Sequence, residues 1–286
     1  MKRATLKVSL TQKGFINHAE TFLIIPLMLV AVLASCGAKT INDAEGIALA
    51  KKIQTFHEES SFAYNSDKIT FKMTTKGISG GAGDTAFEAR FSKDEYTYYI
   101  MSTTNATDSA SNKTISIYTY AKDGTYYSTL SDGTSMTYST LSQSEFNTMV
   151  NAKQTGIRTL IHQMAEGAYG LLKTTVASIE VSSTLASSAA STDGVNPYIT
   201  GHSFASTGEG NLTATIDEKQ EDNGVNVVGH EVMVFDHSYP ISVQDIAKGS
   251  QSVSASTETI DSTEEMTFGW GECTPLYPDL SQYTKK

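Results

Sequence analysis

The sequence contains one long amphipathic segment that lies between two series of strand-like segments. In residues 155–178, apolar side chains recur three and four residues apart, which is the spacing of a helix with one apolar face. The members of this face are Ile157, Leu160, Ile161, Met164, Ala168, Leu171 and Leu172. We predict a helix here. Four of its residues are expected in the core first, and along a ligand cavity second, because core and cavity share one face: Leu160, Ile161, Met164 and Leu171.

Two capping boxes predict further helices. Asn42 and Glu45 have the spacing in which each side chain satisfies the other's backbone N–H, and the apolar stripe that follows predicts a helix over residues 42–59. Ser142 and Glu145 have the same spacing and predict a short helix before residues 155–178. The second half of the chain therefore begins with a predicted helix pair.

Strand patterns fill the rest of the chain. About six segments between residues 67 and 138 and about six between residues 198 and 270 alternate apolar and polar side chains or are rich in Tyr, Phe, Thr and Val. No strand–helix–strand alternation occurs, so the order favours an antiparallel sheet with helices on one face. We predict an α+β fold in which a strongly curved sheet of about 11–12 strands wraps around the helices.

The first residues have the features of a secretory signal. Residues 1–20 carry four basic side chains against one acidic one, and the apolar run of residues 22–33 follows. A membrane-spanning helix needs about 20 apolar residues, so this run is too short to remain in the bilayer as a span. We predict that residues 1–35 are a signal peptide.

The residues Leu33-Ala34-Ser35-Cys36 at the end of this run resemble the lipobox of bacterial lipoproteins. The resemblance implies that a diacylglyceryl group is attached to the thiol of Cys36 and that cleavage after Ser35 leaves Cys36 as the first residue. Palmitate-type acyl chains would then hold the protein on the extracytoplasmic face of the cell membrane. An ordinary signal peptide followed by a chance cysteine remains the alternative.

Composition limits the classes of partner. The formal net charge is −10, and removal of the predominantly basic leader makes the mature chain more acidic still. This charge argues against nucleic acid as a partner, because phosphates require a basic surface. With Cys36 lipidated, Cys273 has no partner for a disulfide, and sites built on several thiolates are excluded. We expect no cofactor, no metal and a monomer.

The predicted domain organisation follows from these segments. Residues 36–41 are expected to be a lipidated tether, residues 42–274 a single β-rich domain and residues 275–286 an irregular tail. This order of elements resembles the LolA/LppX-like half-barrel family of bacterial lipid and lipoprotein carriers. The resemblance implies a concave sheet that shelters acyl chains or another apolar ligand, and it carries no residue motif that could be transferred position by position.

Two apparent motifs do not support catalysis or metal binding. Gly77-Ile78-Ser79-Gly80-Gly81 fits G-x-S-x-G, but a nucleophile elbow joins a strand to a helix, and this stretch joins two strand patterns. His230, Asp236 and His237 are close in sequence, but they do not have the spacing of a helical metal motif. We therefore expect neither a catalytic residue nor a metal ligand.

Two functions are consistent with these features. The first is a lipid-anchored protein of the cell envelope that binds or carries a lipid or another apolar ligand. The alternative is a surface module that recognises protein or glycan through a Tyr-rich outer face, on which Tyr98 and Tyr120 would be exposed. Tyr is also a common strand residue, and ordinary sheet packing is the interpretation that we favour for these side chains.

Overall fold

A computed structural model gives the fold of the chain. The structure describes residues 38–59, 66–77, 83–93, 95–104, 110, 112–185, 198–208, 210–222, 224–253 and 256–286. The predicted signal peptide, the predicted cleavage site at Ser35 and Cys36, and Ser79 lie outside these residues.

The described elements comprise two α-helices, thirteen strands and one short 3₁₀ helix. In chain order they are β1 (Lys39–Ile41), α1 (Asp43–Glu59), β2 (Lys68–Lys76), β3 (Asp84–Ser92), β4 (Tyr96–Thr104), β5 (Lys113–Lys122), β6 (Thr125–Ser131), β7 (Met136–Leu141), α2 (Gln143–Leu185), β8 (Ile199–Gly208), β9 (Asn211–Asp222), β10 (Val225–Asp236), β11 (Tyr239–Val253), β12 (Ser256–Trp270), the 3₁₀ helix (Leu280–Gln282) and β13 (Thr284–Lys285).

The strands form one sheet in the order β1-β8-β9-β10-β11-β12-β2-β3-β4-β5-β6-β7-β13. The pairings from β2 to β7, from β8 to β11 and between β1 and β8 are antiparallel, whereas β13 pairs parallel with β7. The prediction of a large, mostly antiparallel sheet accompanied by helices is therefore confirmed. The predicted number of 11–12 strands is lower than the thirteen found in the described residues.

The chain divides into two compact units. The first unit contains the described residues within 38–59 and 166–264 together with Gly77, and the second contains those within 66–76, 83–165 and 265–286. Helix α2 and strand β12 each have residues in both units. The proposed single domain over residues 42–274 remains a prediction.

In the first unit, helix α1 packs on β8. Its predicted cap is confirmed, because the backbone N–H of Glu45 donates to Asn42 Oδ1 at 3.0 Å. Gly46 lies so close to β8 that a Cβ atom there would be 2.2 Å from the ring of Phe204. The helix therefore approaches the strand at a distance that only glycine permits.

Helix α1 also runs antiparallel to the second half of α2. His57 Nε2 lies 3.0 Å from Glu166 Oε2, and its ring stacks on Tyr169 with centroids 3.8 Å apart. Further toward the start of α1, Lys51 pairs with Glu180. Because the residue number rises in one helix as it falls in the other, the two helices are antiparallel.

Helix α2 is a single helix of 43 residues, not the predicted pair. The Ser142 cap is confirmed, since Ser142 N–H donates to Glu145 Oε2 at 2.8 Å and Glu145 N–H donates to Ser142 Oγ at 3.3 Å. The buried side chains of both predicted helices lie on one continuous stripe, which includes Phe146, Val150, Ile157, Ile161, Ala165, Ala168, Leu172 and Val176. No proline separates Val150 from Ile157, seven residues later, so the helix continues. Neither described helix is apolar over a length that could cross a membrane.

The second unit has its own aromatic core. Phe71 of β2 and Phe91 of β3 are fully buried. The ring of Phe71 lies 5.1 Å from that of Phe268, and the guanidinium of Arg158 on α2 lies 4.9 Å from the centre of the Phe91 ring. The first half of α2 therefore covers the face of the sheet that carries Phe91.

Strands β11 and β12 are long, with 15 residues each. Strand β11 continues through the polar segment that begins at Lys248 and ends at Val253. Gly249 permits this, because its φ is 156° and a Cβ atom there would lie 1.9 Å from the backbone oxygen of Asn226. Strand β12 likewise continues through the buried polar residues Asp261 and Ser262.

Both ends of the described chain are ordered as strands. Lys39–Ile41, expected in the tether, pairs with residues 204–206 of β8. The expected irregular tail ends in β13, in which Thr284 and Lys285 pair with Thr137 and Tyr138. Such pairings join residues that are far apart in sequence, so local patterns did not predict them.

Candidate functional site

The four predicted cavity residues on α2 differ in burial. Ile161 is fully buried, as expected of a core residue. Leu160, Met164 and Leu171 are partly buried and flank the buried stripe of the helix. They form an apolar row along one edge of that stripe, and their role as cavity lining remains a prediction.

The described residues also reveal a group of four carboxyls, three buried and one partly buried, that the sequence analysis missed. Four neighbouring strands of the first unit, β9 to β12, each contribute one member: Glu218, Glu231, Asp245 and Glu264. We call this group the carboxyl cluster.

Strand register places the members of the cluster on one face. Glu231 pairs directly with Asp245 across β10 and β11. Glu218 pairs with Gly229, which lies two residues before Glu231 and therefore shares its face. Glu264 acts electrostatically on Asp245, so it also lies beside the pair.

This face is the one that α2 covers in the first unit. Phe235 lies four residues after Glu231 and on the same face, because side chains alternate along a strand. The ring of Phe235 lies 5.5 Å from that of Tyr169, and the Tyr169 hydroxyl donates to the backbone oxygen of Ser238 at 2.9 Å. The carboxyl cluster therefore lies on the helix-facing side of β9 to β12.

Apolar side chains surround the cluster on this face. Val227, Ala247 and Ile260 pack together on β10, β11 and β12, next to the carboxyls. On the other side of the cluster, Met233 pairs with Val243, and both are buried. The carboxyls are thus polar groups within an apolar surface.

Burial raises the pKa values of these groups. Glu231 and Asp245 are 2% and 7% exposed. Loss of solvent is the largest cause, and the neighbouring carboxyls add to it, so the pKa of Glu231 is well above its usual range and that of Asp245 is raised to about 8. Burial also raises the pKa of Glu264. At neutral pH the cluster therefore holds protons that exposed acids would have lost.

Two oxygens of the cluster have no hydrogen-bond partner within the described part of the chain. They are Glu231 Oε2 and Asp245 Oδ1, and both are shielded from solvent. An unpaired buried polar atom costs about 1–3 kcal/mol, so its presence calls for an explanation. A sequence signal did exist: Glu231 interrupts the inward-facing series Val227, Met233 and Phe235 with an acid.

The histidines considered as metal ligands are paired with acids instead. His230 Nδ1 lies 2.7 Å from Asp217 Oδ1, and His237 Nδ1 lies 2.9 Å from Asp236 Oδ1. Among the residues that the structure describes, no three His, Cys, Asp or Glu side chains are arranged to hold a metal ion.

The Tyr-rich face that the alternative function requires to be exposed is covered by the end of the chain. Residues 271–286, which we call the C-terminal strap, cross the second unit's sheet on the face opposite α2. Arg90 Nη1 donates to the backbone oxygen of Thr274 at 3.0 Å, and the Tyr96 hydroxyl donates to that of Leu276 at 2.8 Å. The strap therefore contacts β3 and β4 in turn.

The aromatic side chains beneath the strap are buried. Tyr96, Tyr98 and Tyr120 are 1%, 5% and 2% exposed. The ring of Tyr277 lies 6.0 Å from that of Tyr96 and 5.2 Å from that of Tyr120. Burial raises the pKa of Tyr120 to about 12. The exposure of Tyr98 and Tyr120 that the alternative function requires is therefore not found, because a tail predicted to be irregular packs over them.

Cys273 lies at the edge of this covered face. It is a free thiol, partly buried and packed against the tyrosine cluster. Burial raises the pKa of this thiol, which lowers its reactivity as a nucleophile.

A separate polar cleft of about 310 Å³ lies in the second unit, near the start of α2. Its lining residues are Tyr126, Gln143, Asn147, Val150 and Asn151. It does not include any of the predicted cavity residues.

Comparison with known proteins does not establish the family or the function of this chain. No family model and no curated protein sequence matches it. Among solved structures, the crystal structure of LprF from Mycobacterium bovis is similar, with a TM-score of 0.29 and 6% sequence identity. The match covers 82% of this chain and 97% of that chain. A TM-score this low does not establish a common fold, so the proposals below depend on the residues of this chain.

Proposed function

We propose that the protein is a lipid-anchored lipoprotein on the extracytoplasmic face of the cell membrane and that it binds or carries an amphiphilic ligand. It is proposed to act as a monomer and without catalysing a reaction. The observation that carries the ligand proposal is the carboxyl cluster, with two unpaired oxygens on an apolar, helix-facing surface.

The anchor proposal depends on Cys36 and on the position of β1. Lys39, the first residue of β1, follows Cys36 by three positions. An extended chain spans about 3.3–3.6 Å per residue, so a lipidated Cys36 would lie within roughly 10 Å of the sheet edge. The folded part of the protein would then be held close to the membrane.

The ligand proposal follows from the chemistry of the helix-facing side. Binding sites for small molecules are mostly apolar, with a few polar groups that fix the orientation of the ligand. Val227, Met233 and Val243 supply apolar surface, while Glu231 and Asp245 supply the polar groups. We propose that the sheet curves as a LolA-like half-barrel and that Leu160, Met164 and Leu171 line the space beneath it.

Native mass spectrometry tests the ligand proposal. Residues 37–286 contain every described helix and strand, so this chain can be exported without the lipid anchor and purified under gentle conditions. We expect a bound amphiphile that organic extraction removes and that an added one replaces. A protein that carries no lipid and takes up no fluorescent amphiphile would contradict the proposal.

A pair of cysteine variants tests the anchor proposal. Cys36→Ser should abolish incorporation of a labelled fatty acid and release the protein from the membrane fraction. Cys273→Ser is the matched control and should retain the label, because its thiol lies within the folded part of the chain. Labelling that persists in Cys36→Ser would contradict lipidation at this residue.

The alternative function, recognition through an exposed tyrosine face, has less support. Tyr98 and Tyr120 would have to be uncovered by movement of the C-terminal strap. Glycan or peptide binding that disappears on substitution of Tyr98 and Tyr120, with the fold intact, would favour that alternative.

A further inference from the structure

We propose that the polar cleft at the start of α2 binds a small neutral saccharide. This inference goes beyond the proposed function, because the cleft contains none of the residues that carry the amphiphile proposal. Its structural basis is a cleft of about 310 Å³ that combines a row of carboxamides with one aromatic and one aliphatic side chain.

Helix α2 supplies the row of carboxamides. Gln143, Asn147 and Asn151 lie four residues apart, so they share one face of the helix and follow each other at about 6 Å along its axis. All three are exposed. A carboxamide places a donor NH₂ beside an acceptor oxygen. Neighbouring hydroxyls on a sugar ring each donate and accept, so one carboxamide can bind two of them at once.

Two further side chains supply apolar surface in the cleft. The ring of Tyr126 on β6 packs against that of Phe146, with centroids 4.7 Å apart, and Phe146 is buried. Val150, one turn after Phe146 on α2, is buried too. A sugar ring carries C–H groups as well as hydroxyls, and a tyrosine offers an apolar ring with a polar tip to such a ligand.

The described residues that line the cleft are all uncharged. Glu145, two residues after Gln143, accepts hydrogen bonds from the N–H and the hydroxyl of Ser142 in the helix cap. The ammonium of Lys122 lies 5.4 Å from the centre of the Tyr277 ring. An ionic ligand would lose water here without gaining an opposite charge from the lining, whereas a neutral ligand avoids that cost.

The size of the cleft favours a mono- or disaccharide. A volume of about 310 Å³ is near the lower end of the range for small-molecule sites, which is roughly 300–1,000 Å³. Ser128 and Ser139 pair with each other in the next row of the sheet, on the same face as Tyr126, and both are partly buried. These hydroxyls would extend the neutral polar surface beneath a second sugar ring.

An extended peptide is the other ligand that is rich in neutral donors and acceptors. Proteins commonly bind such a peptide as an added strand at a free sheet edge. The lining of the cleft comes from α2 and from β6, and β6 has a strand on each side. The cleft therefore offers side chains and no strand edge, which favours the saccharide.

A glycan array tests this proposal with fluorescently labelled residues 37–286. The array carries neutral oligosaccharides of hexoses, pentoses and N-acetylhexosamines, together with glycans that contain uronate or sulfate groups. We expect binding to neutral glycans and no gain in binding from an acidic group. An NMR titration with the free form of the disaccharide that binds best then gives the dissociation constant, and it should shift the side-chain amide signals of Gln143 and Asn147.

The variant Asn147→Leu locates the site, because it removes the carboxamide and keeps the shape of the side chain. Asn147 is exposed, so this change should leave the fold intact. Loss of its hydrogen bonds should weaken saccharide binding by about tenfold. Thr148→Val is the matched control, since the Thr148 hydroxyl donates to the backbone oxygen of Ser144 at 2.9 Å, and it should not change binding.

Binding of neutral glycans that is weakened in Asn147→Leu and retained in Thr148→Val would support this inference. It would be overturned by an array without a neutral ligand, by binding that requires uronate or sulfate groups, or by binding that is unchanged in Asn147→Leu. Equal binding of the neutral peptide acetyl-trialanine amide, with the same dependence on Asn147, would overturn the saccharide in favour of a peptide. Asn147→Leu should leave amphiphile binding unchanged, so the amphiphile proposal is tested separately.

Discussion

The carboxyl cluster predicts that the protein becomes less stable as pH rises, and the variant Asp245→Asn tests this. The pKa of Asp245 is raised from 3.8 to about 8 by burial and by neighbouring acids. Between these two values, the folded state holds a proton that the unfolded state releases. The free energy of unfolding should therefore be highest below about pH 4 and should fall as the pH rises toward 8.

The size of the effect follows from the separation of the two pKa values. Each pH unit of separation corresponds to about 1.4 kcal/mol, so a shift of this size amounts to roughly 6 kcal/mol as an upper limit. The raised pKa values of Glu231 and Glu264 act in the same direction. Hydrogen bonds lower the pKa values of Asp132, in the turn between β6 and β7, and of Glu145, in the cap of α2, and both act only at lower pH.

Urea unfolding at pH 5 and pH 8 measures this dependence. The unsubstituted protein should lose several kcal/mol between the two pH values, and Asp245→Asn should remove much of that loss, because an amide cannot ionise. The variant should therefore be the more stable protein at pH 8. Glu221→Gln, an exposed acid, should behave as the unsubstituted protein does. Identical pH dependence in Asp245→Asn and the unsubstituted protein would refute the argument.

Three further substitutions test the packing. Gly46→Ala should destabilise the protein by about 1–3 kcal/mol, because its Cβ would overlap Phe204. Gly170→Ala, with nothing within 4 Å of its Cβ, should instead stabilise α2 by up to about 1 kcal/mol. Thermal unfolding measures both effects, and a Gly46→Ala variant that melts at the same temperature as the unsubstituted protein would contradict this account. Tyr96→Phe removes a hydroxyl that donates to Leu276 O and accepts from Leu276 N–H. The free energy of unfolding should fall by about 1–3 kcal/mol, and the strap should become more susceptible to proteolysis. An unchanged urea midpoint and cleavage rate would show that other contacts hold the strap.

The helix signals in the sequence were local, and they predicted the structure well. The caps at Asn42 and Ser142 depend on residues three positions apart, and both form as predicted. The division of α2 into two helices was wrong. Residues 151–156 lack large apolar side chains and so suggested a break, although nothing in them ends a helix. The buried stripe on both sides of this segment keeps the same helical phase, which is the signal that would have identified one helix.

Contacts between distant residues account for most of what the sequence did not predict. The strap at residues 271–286 has little strand pattern of its own, and its position depends on hydrogen bonds from Arg90 and Tyr96. Tyrosines that suggested an exposed recognition face are buried for this reason. In the same way, β1 is ordered only through its pairing with β8.

The carboxyl cluster was missed because each of its acids is unremarkable in sequence. Glu218 and Glu231 lie in strands that also carry exposed acids, and single acids in half-exposed strands are common. Only the register of β9, β10 and β11 brings Glu218, Glu231 and Asp245 to one face. An acid in the inward phase of a strand is visible in the sequence, but its neighbours across the sheet are not.

The central claim is that the helix-facing side of β9 to β12 binds an amphiphile, and native mass spectrometry of residues 37–286 tests it most directly. The account predicts a bound amphiphile in the protein as purified and a lower occupancy in Glu231→Gln with Asp245→Asn. A protein that is free of ligand as purified and remains so after incubation with amphiphiles of each head-group charge would contradict it.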